Sequence, residues 1–369
     1  MRVDNDLMFS DSIGCYVPGI YYNPKKEYYS GNYYHFKSRK APVLCSYIFP
    51  DGTVEEEEVK FKIHGRVTPM APQKSIRIYS KKGFNFKRFT GDSVCLDKMV
   101  LRSSYSGWHD LPYKDGLITN ICRDLNFNTT PFQPIILYVN NYYWGIHGAR
   151  ARADKDFIQV LSHHKKVEYS NDMGYKTRTK ERTSMYDLIQ KIKKDSISYE
   201  ELKTKIDIPG YTEWLVVQLF FQNYDWPKNN TLFYRVEDEY SKWKPILIDM
   251  DACIGKPNYN WMKHISKEKY NTDCTVIMKF LFQQKEYQQY FLQTSQQLLK
   301  TTLSQEHLIE QLDQTAKIYE PLLKEHYNRW GSLSGMEDYL KAKENCLMFF
   351  KERQAVYLKH IREYFSSIH

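Results

Sequence analysis

Asp225 and Asn230 stand five apart in Asn223-Tyr224-Asp225-Trp226-Pro227-Lys228-Asn229-Asn230, a polar segment that follows an apolar run. A phosphotransferase catalytic loop uses that pairing. Its Asp accepts a hydrogen bond from the attacking group, and its Asn turns back to a metal held on nucleotide phosphates. Further on, Pro245-Ile246-Leu247-Ile248-Asp249-Met250-Asp251 is an apolar stretch that ends in two carboxylates. Residues two apart on a strand share a face, so Asp249 and Asp251 are expected to reach one magnesium ion, a hard cation that takes oxygen ligands. Singly, the Asp-Trp-Pro triplet reads equally as a turn, and Asp249 as a cap for whatever follows. Together, in this order and across a short hairpin, they form the smallest metal-and-base set of a kinase-like site.

Such a site also needs groups that bind phosphate. Gly65-Arg66-Val67-Thr68-Pro69 lies between two extended runs, with Lys74 opening the second. A glycine lets backbone N–H groups approach phosphate, and Thr68 can donate a hydroxyl hydrogen bond. Lys74 supplies a point charge for the α and β phosphates, and Arg66 with it would stabilise transferred charge. One glycine is not a Gly-rich loop, and an ordinary surface turn has the same composition.

Other chemistries find less support. There is no G-x-S-x-G, and Ser103-Ser104, His109 and Asp110 are too close in sequence to form a nucleophilic triad, so His109 reads as a loop or core histidine. His163-His164 reads as a solvated pair and Glu55 to Glu58 as a solvated strand edge. The seven cysteines are widely spaced with no CxxC, which signals neither a zinc site nor a complete disulfide framework. Asn128-Thr129-Thr130 and Asn229-Asn230-Thr231 are glycosylation sequons by pattern alone.

The elements that must position the candidate residues divide the chain in two. Residues 1–150 carry short extended runs, Val43 to Phe49, Val59 to His64, Ser75 to Ser80, Met99 to Arg102 and Ile135 to Val139, with a turn at Pro50-Asp51-Gly52. One helix, Asp115 to Leu125, interrupts them. Residues 151–369 read as helices: Met185 to Lys194, Tyr199 to Ile206, Tyr211 to Asn223, Thr275 to Leu281, Lys285 to Lys300, Ser304 to His326 and Gly335 to Phe365. A hairpin of Asn230 to Arg235 and Trp243 to Ile248 breaks the helical part. The expected class is α+β and bilobal, a β-rich N-terminal lobe over 1–150 and a mainly helical C-terminal lobe over 151–369.

The 369 residues bury a core easily, and 42% hydrophobic with 26% charged residues exclude bulk disorder. A formal charge of +9 spread along the chain argues against a nucleic-acid partner, which would want the basic residues gathered. The longest apolar stretch, Trp214 to Phe221, is too short to span a bilayer. Residues 1–10 lack the basic and apolar regions of a signal peptide, so the expectation is either a cytoplasmic protein or an exported one whose leader is absent from this chain.

The order of motifs resembles the CotH kinase family, atypical protein kinases named for a spore coat protein. The resemblance is carried by Gly65 with Lys74-Ser75, by Val100-Leu101-Arg102-Ser103-Ser104 leading to Asp110 and Asp115, and by the hairpin Leu137-Tyr138-Val139-Asn140-Asn141-Tyr142-Tyr143-Trp144-Gly145-Ile146. It continues through Asn223-Tyr224-Asp225-Trp226 with Asn230, Ile248-Asp249-Met250-Asp251-Ala252 and Arg329-Trp330. The openings Gly14 to Gly19 and Gly31 to Tyr34 are similar to bacterial members that are often exported.

The resemblance implies a protein-kinase-like fold, ATP with Mg2+ or Mn2+ as cofactors, and phosphoryl transfer to Ser or Thr hydroxyls of a protein substrate. Asp225 takes the family's catalytic position, and Asn230, Asp249 and Asp251 its metal positions. The chain departs from the family at Ala151, where an acid is usual at the lobe junction, and at Asn141, where glycine is usual. The alternatives are a surface or assembly protein that keeps the fold without turnover, and a kinase-fold enzyme that moves AMP or glutamate.

Overall fold

The computed structural model describes residues 1–26, 28–91, 93–104, 110–171, 183–227, 229–331 and 335–368. His109 and Lys228 lie outside them. The described chain is α+β, the class expected, and it falls into two compact units. The first takes Met1–Pro112, Pro131–Val160 and Ile318–Tyr339; the second takes Tyr113–Thr130, Leu161–Lys317 and Leu340–His369. The chain passes between them several times rather than once near residue 150, and the helix at Lys114–Ile121 belongs with the second.

The first unit is built on six strands, β1 (Ala41–Ile48), β2 (Val54–Ile63), β3 (Ile76–Asn85), β4 (Cys95–Arg102), β5 (Phe132–Val139) and β6 (Tyr142–Arg150). They form one antiparallel sheet in the order β1-β2-β3-β4-β6-β5. Alternation decides which side faces the core: Val43 and Cys45 of β1 and Phe61 and Ile63 of β2 are buried, whereas Glu55, Glu56 and Glu58 stay in solvent. The β1–β2 turn uses Gly52 at φ +81° and the Asp51 carboxylate, which accepts from Thr53 N at 2.9 Å.

The second half of the helix Gln305–Trp330 packs on β6. Gly145 has φ +91°, and a Cβ there would lie 2.8 Å from both His326 Nδ1 and Trp330 Nε1. That close approach lets Ile146 N donate to His326 Nδ1 at 3.1 Å and Trp330 Nε1 donate to Trp144 O at 3.1 Å.

His326 and the neighbouring His147 are buried, and burial pushes each imidazole down to about 4. An unfolded histidine binds its proton near pH 6.5, so the unfolded chain takes up protons first as pH falls. The stability held by the neutral pair is therefore complete above about pH 6.5 and lost as pH falls toward about 4, by at most about 3 kcal/mol for each histidine. Urea unfolding at pH 7 and pH 5 is expected to show this loss, and His147→Gln with His326→Gln to flatten it. An unchanged slope in the double variant would assign the acid sensitivity elsewhere.

The second unit is mainly helical around Ile208–Phe220, which is buried on nearly every side and has Trp214 through Val217 at most 1% exposed. Helix starts are capped by side chains: Thr183 accepts from Tyr186 N, Ser198 accepts from Glu201 N, and Thr272 with Thr275 forms a capping box. A three-stranded antiparallel sheet of β7 (Val167–Asn171), β8 (Leu232–Val236) and β9 (Lys244–Ile246) joins them, with β8 in the middle.

Candidate active site

All four candidate residues of the catalytic loop and the acidic stretch lie in the second unit. The helix Ile208–Phe220 ends against Arg353, a fully buried guanidinium that donates to Leu219 O, Phe220 O, Pro257 O and Tyr259 O at 2.9 to 3.1 Å. A cation on the final carbonyls suits the negative end of a helix, and the same fork fastens the 257–259 loop. Gln222 then takes φ +56°, which turns the chain, and Asn223 is buried. Its amide donates to Gln218 Oε1 at 2.9 Å, and its carbonyl oxygen accepts from Asp225 N at 3.1 Å.

Trp226 holds the loop down beside Asp225. It is completely buried and meets Trp214 edge-on, ring centres 5.9 Å apart. Asn229 N donates to Asp225 O at 2.9 Å, and Asn230, at φ +60°, points its amide back so that Nδ2 donates to Asp225 Oδ2 at 3.0 Å. This leaves the Asn230 amide oxygen as the atom able to bind a cation. Trp226→Ala would open a cavity in the aromatic core and is expected to destabilise the protein by about 3 to 5 kcal/mol. A urea midpoint unchanged from wild type would show that the loop does not depend on this anchor.

Asp249 and Asp251 do not sit on a strand as expected. β9 ends at Ile246 because Leu247 N leaves the ladder and donates to Asn128 O at 2.8 Å. The chain then turns through Asp249 at φ +58°, a conformation that an aspartate tolerates better than most residues. Met250 N donates to the buried Asp115 carboxylate at 2.8 Å, and Lys114 Nζ donates to Cys253 O at 2.9 Å. Two further backbone bonds, Tyr224 N to Ala252 O at 2.7 Å and Ile254 N to Phe221 O at 2.8 Å, lace this turn to the catalytic loop. Ile254 has φ +64°, a strained position for a β-branched residue. Left-handed residues at 222, 230, 249 and 254 thus cluster on two facing loops, and strain held by many bonds is characteristic of functional sites.

The result is that Asp225, Asp249 and Asp251 each present a carboxylate oxygen, all within 4.8 Å of one another, with Asp251 buried and the other two half-buried. Oxygens on opposite sides of one magnesium ion are about 4.2 Å apart, twice its bond length of about 2.1 Å, so small side-chain adjustments suffice. The donor set is all oxygen, the kind a hard dication takes, and three carboxylates this close repel each other by about 3 to 4 kcal/mol per pair at an effective dielectric near 20. A divalent ion fits this set. Asp225, read from the sequence as a base apart from the metal acids, lies among them.

Lys114, Asp115, Asn128 and Asn223 brace the turn and loop, a role that their local sequence does not reveal. Their signal in the sequence is faint, a Lys-Asp pair opening a helix whose partners lie more than a hundred residues away.

The phosphate-binding candidates lie in the first unit. Gly65 takes φ +114°, and a Cβ there would fall 1.9 Å from Thr68 Oγ1, so the turn requires glycine. Arg66 is exposed, and Thr68 opens a short 3-10 turn, Thr68–Met70. Lys74 is enclosed: it is 3% exposed, donates to Ala71 O at 2.6 Å, and lies over the rings of Tyr33 at 4.4 Å and Tyr16 at 5.0 Å. Burial brings its ammonium down to about 7. Ala151, the site of the departure from the family pattern, is fully buried.

An α+β chain with a loop Asp, its Asn partner and two following acids gathered on one cation-sized site has the parts of a phosphotransferase. The sequence matches the family described as CotH kinase protein over residues 61–357, most of its length, and the chain belongs to this family of atypical kinases. A solved structure, that of the Helicobacter pylori proinflammatory kinase CtkA, is similar over 80% of this chain and 94% of that one, at 10% sequence identity and a TM-score of 0.39. No curated protein matches the sequence.

Proposed function

We propose that the protein is a metal-dependent protein kinase that transfers the γ-phosphoryl group of ATP to Ser or Thr hydroxyls of a protein substrate. The observation that carries this reading is the convergence of Asp225, Asp249 and Asp251 within 4.8 Å, with Asn230 bonded to Asp225. Asp249, Asp251 and the Asn230 amide oxygen would hold magnesium or manganese, and that ion would neutralise charge on the nucleotide phosphates. Asp225 orients the acceptor hydroxyl and takes its proton as the new O–P bond forms and the bond from the γ phosphorus to the bridging oxygen breaks, releasing ADP. Its position is fixed before substrate arrives, because Asn223 holds its backbone N–H and Asn230 its Oδ2. Gly65 and Thr68 remain the proposed backbone and hydroxyl contacts to phosphate. Lys74 and Arg66 would join them, Lys74 only after its ammonium leaves Ala71 O.

The test incubates the chain with a Ser-rich protein and ATP labelled in either the γ or the α phosphate, in magnesium, manganese or EDTA. Transfer of γ label alone to Ser or Thr, abolished by EDTA, is the expected result. Transfer of α label would identify AMP transfer instead, and absence of any label in all metal conditions would favour a protein that binds or assembles without turnover.

A further inference from the structure

Tyr224, next to Asp225 in the chain, keeps its ring on the outside of the catalytic loop, 46% exposed, and Tyr259 is 37% exposed. Both rings stand on a buried floor. The Tyr224 ring lies 4.8 Å and the Tyr259 ring 6.3 Å from that of Trp261, which is 1% exposed, and His264 stacks on Trp261 at 4.6 Å. Both nitrogens of that imidazole are tied, Nδ1 to Tyr259 OH at 2.5 Å and Nε2 to Tyr270 OH at 2.6 Å. Gln222 Nε2 fastens the loop between the two tyrosines, donating to Lys256 O at 2.9 Å and to Tyr259 O at 3.3 Å. A Cβ on Gly255 would lie 2.5 Å from Tyr224 OH, so this glycine lets the loop pass directly against the phenol. The aromatic face is therefore held in place before anything binds to it.

The segment that carries this face is basic. Residues 256–270 hold Lys256, Lys263, Lys267 and Lys269 against one acid, Glu268, whereas the whole chain has 53 basic and 44 acidic side chains. All four lysines are exposed. The ammonium groups of Lys256, Lys263 and Lys267 have no carboxylate partner among the described residues, and Lys269 lies over the Tyr270 ring at 5.0 Å. Lys256 follows the glycine that touches Tyr224, and Lys263 is two residues beyond Trp261. We propose that this face docks an acidic segment of the protein substrate, in which Asp and Glu flank the acceptor Ser or Thr. Tyr224 would meet the chain beside the acceptor, and Lys256 and Lys263 its carboxylates. The inference rests on the kinase reading above, which puts the acceptor hydroxyl at Asp225, one residue from Tyr224. Asp225, Asp249 and Asp251 oppose such a segment, but a divalent ion offsets two of their three charges and the lysines outnumber the remainder. A basic segment would meet like charge on this rim and is disfavoured.

The test is fluorescence anisotropy of the full chain in magnesium with three labelled peptides of equal length, each with a central Ser flanked by Asp and Glu, by Lys and Arg, or by Gly and Asn, and with a labelled oligothymidylate. Wild type is expected to bind the acidic peptide about tenfold tighter than the neutral one, the sum of a few exposed charge pairs, and to lose that margin in high salt. Lys256→Glu combined with Lys263→Glu is expected to reverse the order, so that the basic peptide binds tighter than the acidic one, a change that altered packing would not produce. Both side chains are exposed, so this variant tests the face even where Tyr224→Ala fails to fold. Tyr224→Ala is expected to weaken the acidic and neutral peptides alike by about threefold, the loss of an uncharged aromatic contact. Equal binding of the three peptides by wild type, an unchanged order in the lysine variant, unchanged affinities in folded Tyr224→Ala, or oligothymidylate bound as tightly as the acidic peptide overturns the proposal. Transfer of γ label from ATP is read on the same peptides. Charge-reversible binding of the acidic peptide with no transfer to any peptide would leave the docking face standing and defeat the kinase reading, and transfer to peptides that bind without regard to charge would do the opposite.

Discussion

Asp225→Asn is expected to lower phosphoryl transfer by about 10²- to 10⁴-fold, the usual contribution of a positioned general base. The protein should stay folded, because the backbone of residue 225 keeps its bonds to Asn223 and Asn229 and Trp226 stays anchored in the core. The substitution is a stringent one here. Asn230 already donates its amide to Asp225 Oδ2, so a new amide at 225 must offer its carbonyl to keep that bond and turn its NH2 toward the position of the acceptor hydroxyl. An NH2 group cannot accept a proton. Metal-dependent nucleotide affinity should change by less than about tenfold, since the loss falls mainly on kcat when an interaction made in the transition state is removed. A loss of nucleotide binding as large as the loss of rate would make Asp225 a metal ligand, a role its closeness to Asp249 and Asp251 makes available.

The helical part of the fold was largely legible because periodicity and end signals agree there. The run Lys285–Lys300 matches residue for residue, and the helices Ser184–Lys193, Tyr199–Lys205 and Met336–Ser367 fall within one or two residues of their expected bounds. The strands extend beyond the runs that the sequence marks: β2 begins at Val54 because Glu55 to Glu58 pair with β1 through their backbones, whatever their side chains prefer. β7 is not legible in the sequence, since five mixed residues carry no period and its place depends on β8 beside it.

At the site, residue types and order were legible, and geometry was not. A strand carrying Asp249 and Asp251 on one face is the simplest reading of an apolar run, yet Asn128 captures Leu247 N and ends the strand early. The acids converge through a left-handed turn braced by Asp115, a long-range effect that local pattern cannot contain. The enclosure of Lys74 is hidden from the sequence for the same reason. Tyr16 and Tyr33, which enclose it, lie 58 and 41 positions earlier in the chain.

Asp249→Asn separates metal binding from fold in a way no alanine variant does. Residue 249 sits at φ +58°, where asparagine is as acceptable as aspartate and alanine would add strain, so the variant changes charge and little else. Removing one of three carboxylates that lie within 4.8 Å relieves repulsion in the metal-free protein. In EDTA the variant is therefore expected to melt higher than wild type, by about 1 °C for each kcal/mol relieved in a chain of this length. With magnesium the order reverses. Wild type gains stability by binding the ion, whereas the variant has lost a full negative charge from the donor set and gains little. Nucleotide affinity measured with magnesium should fall at least tenfold, and transfer of label with it, since loss of even an indirect metal support costs about 10- to 100-fold. A variant that melts below wild type in EDTA and still gains as much from magnesium would place the ion away from Asp249.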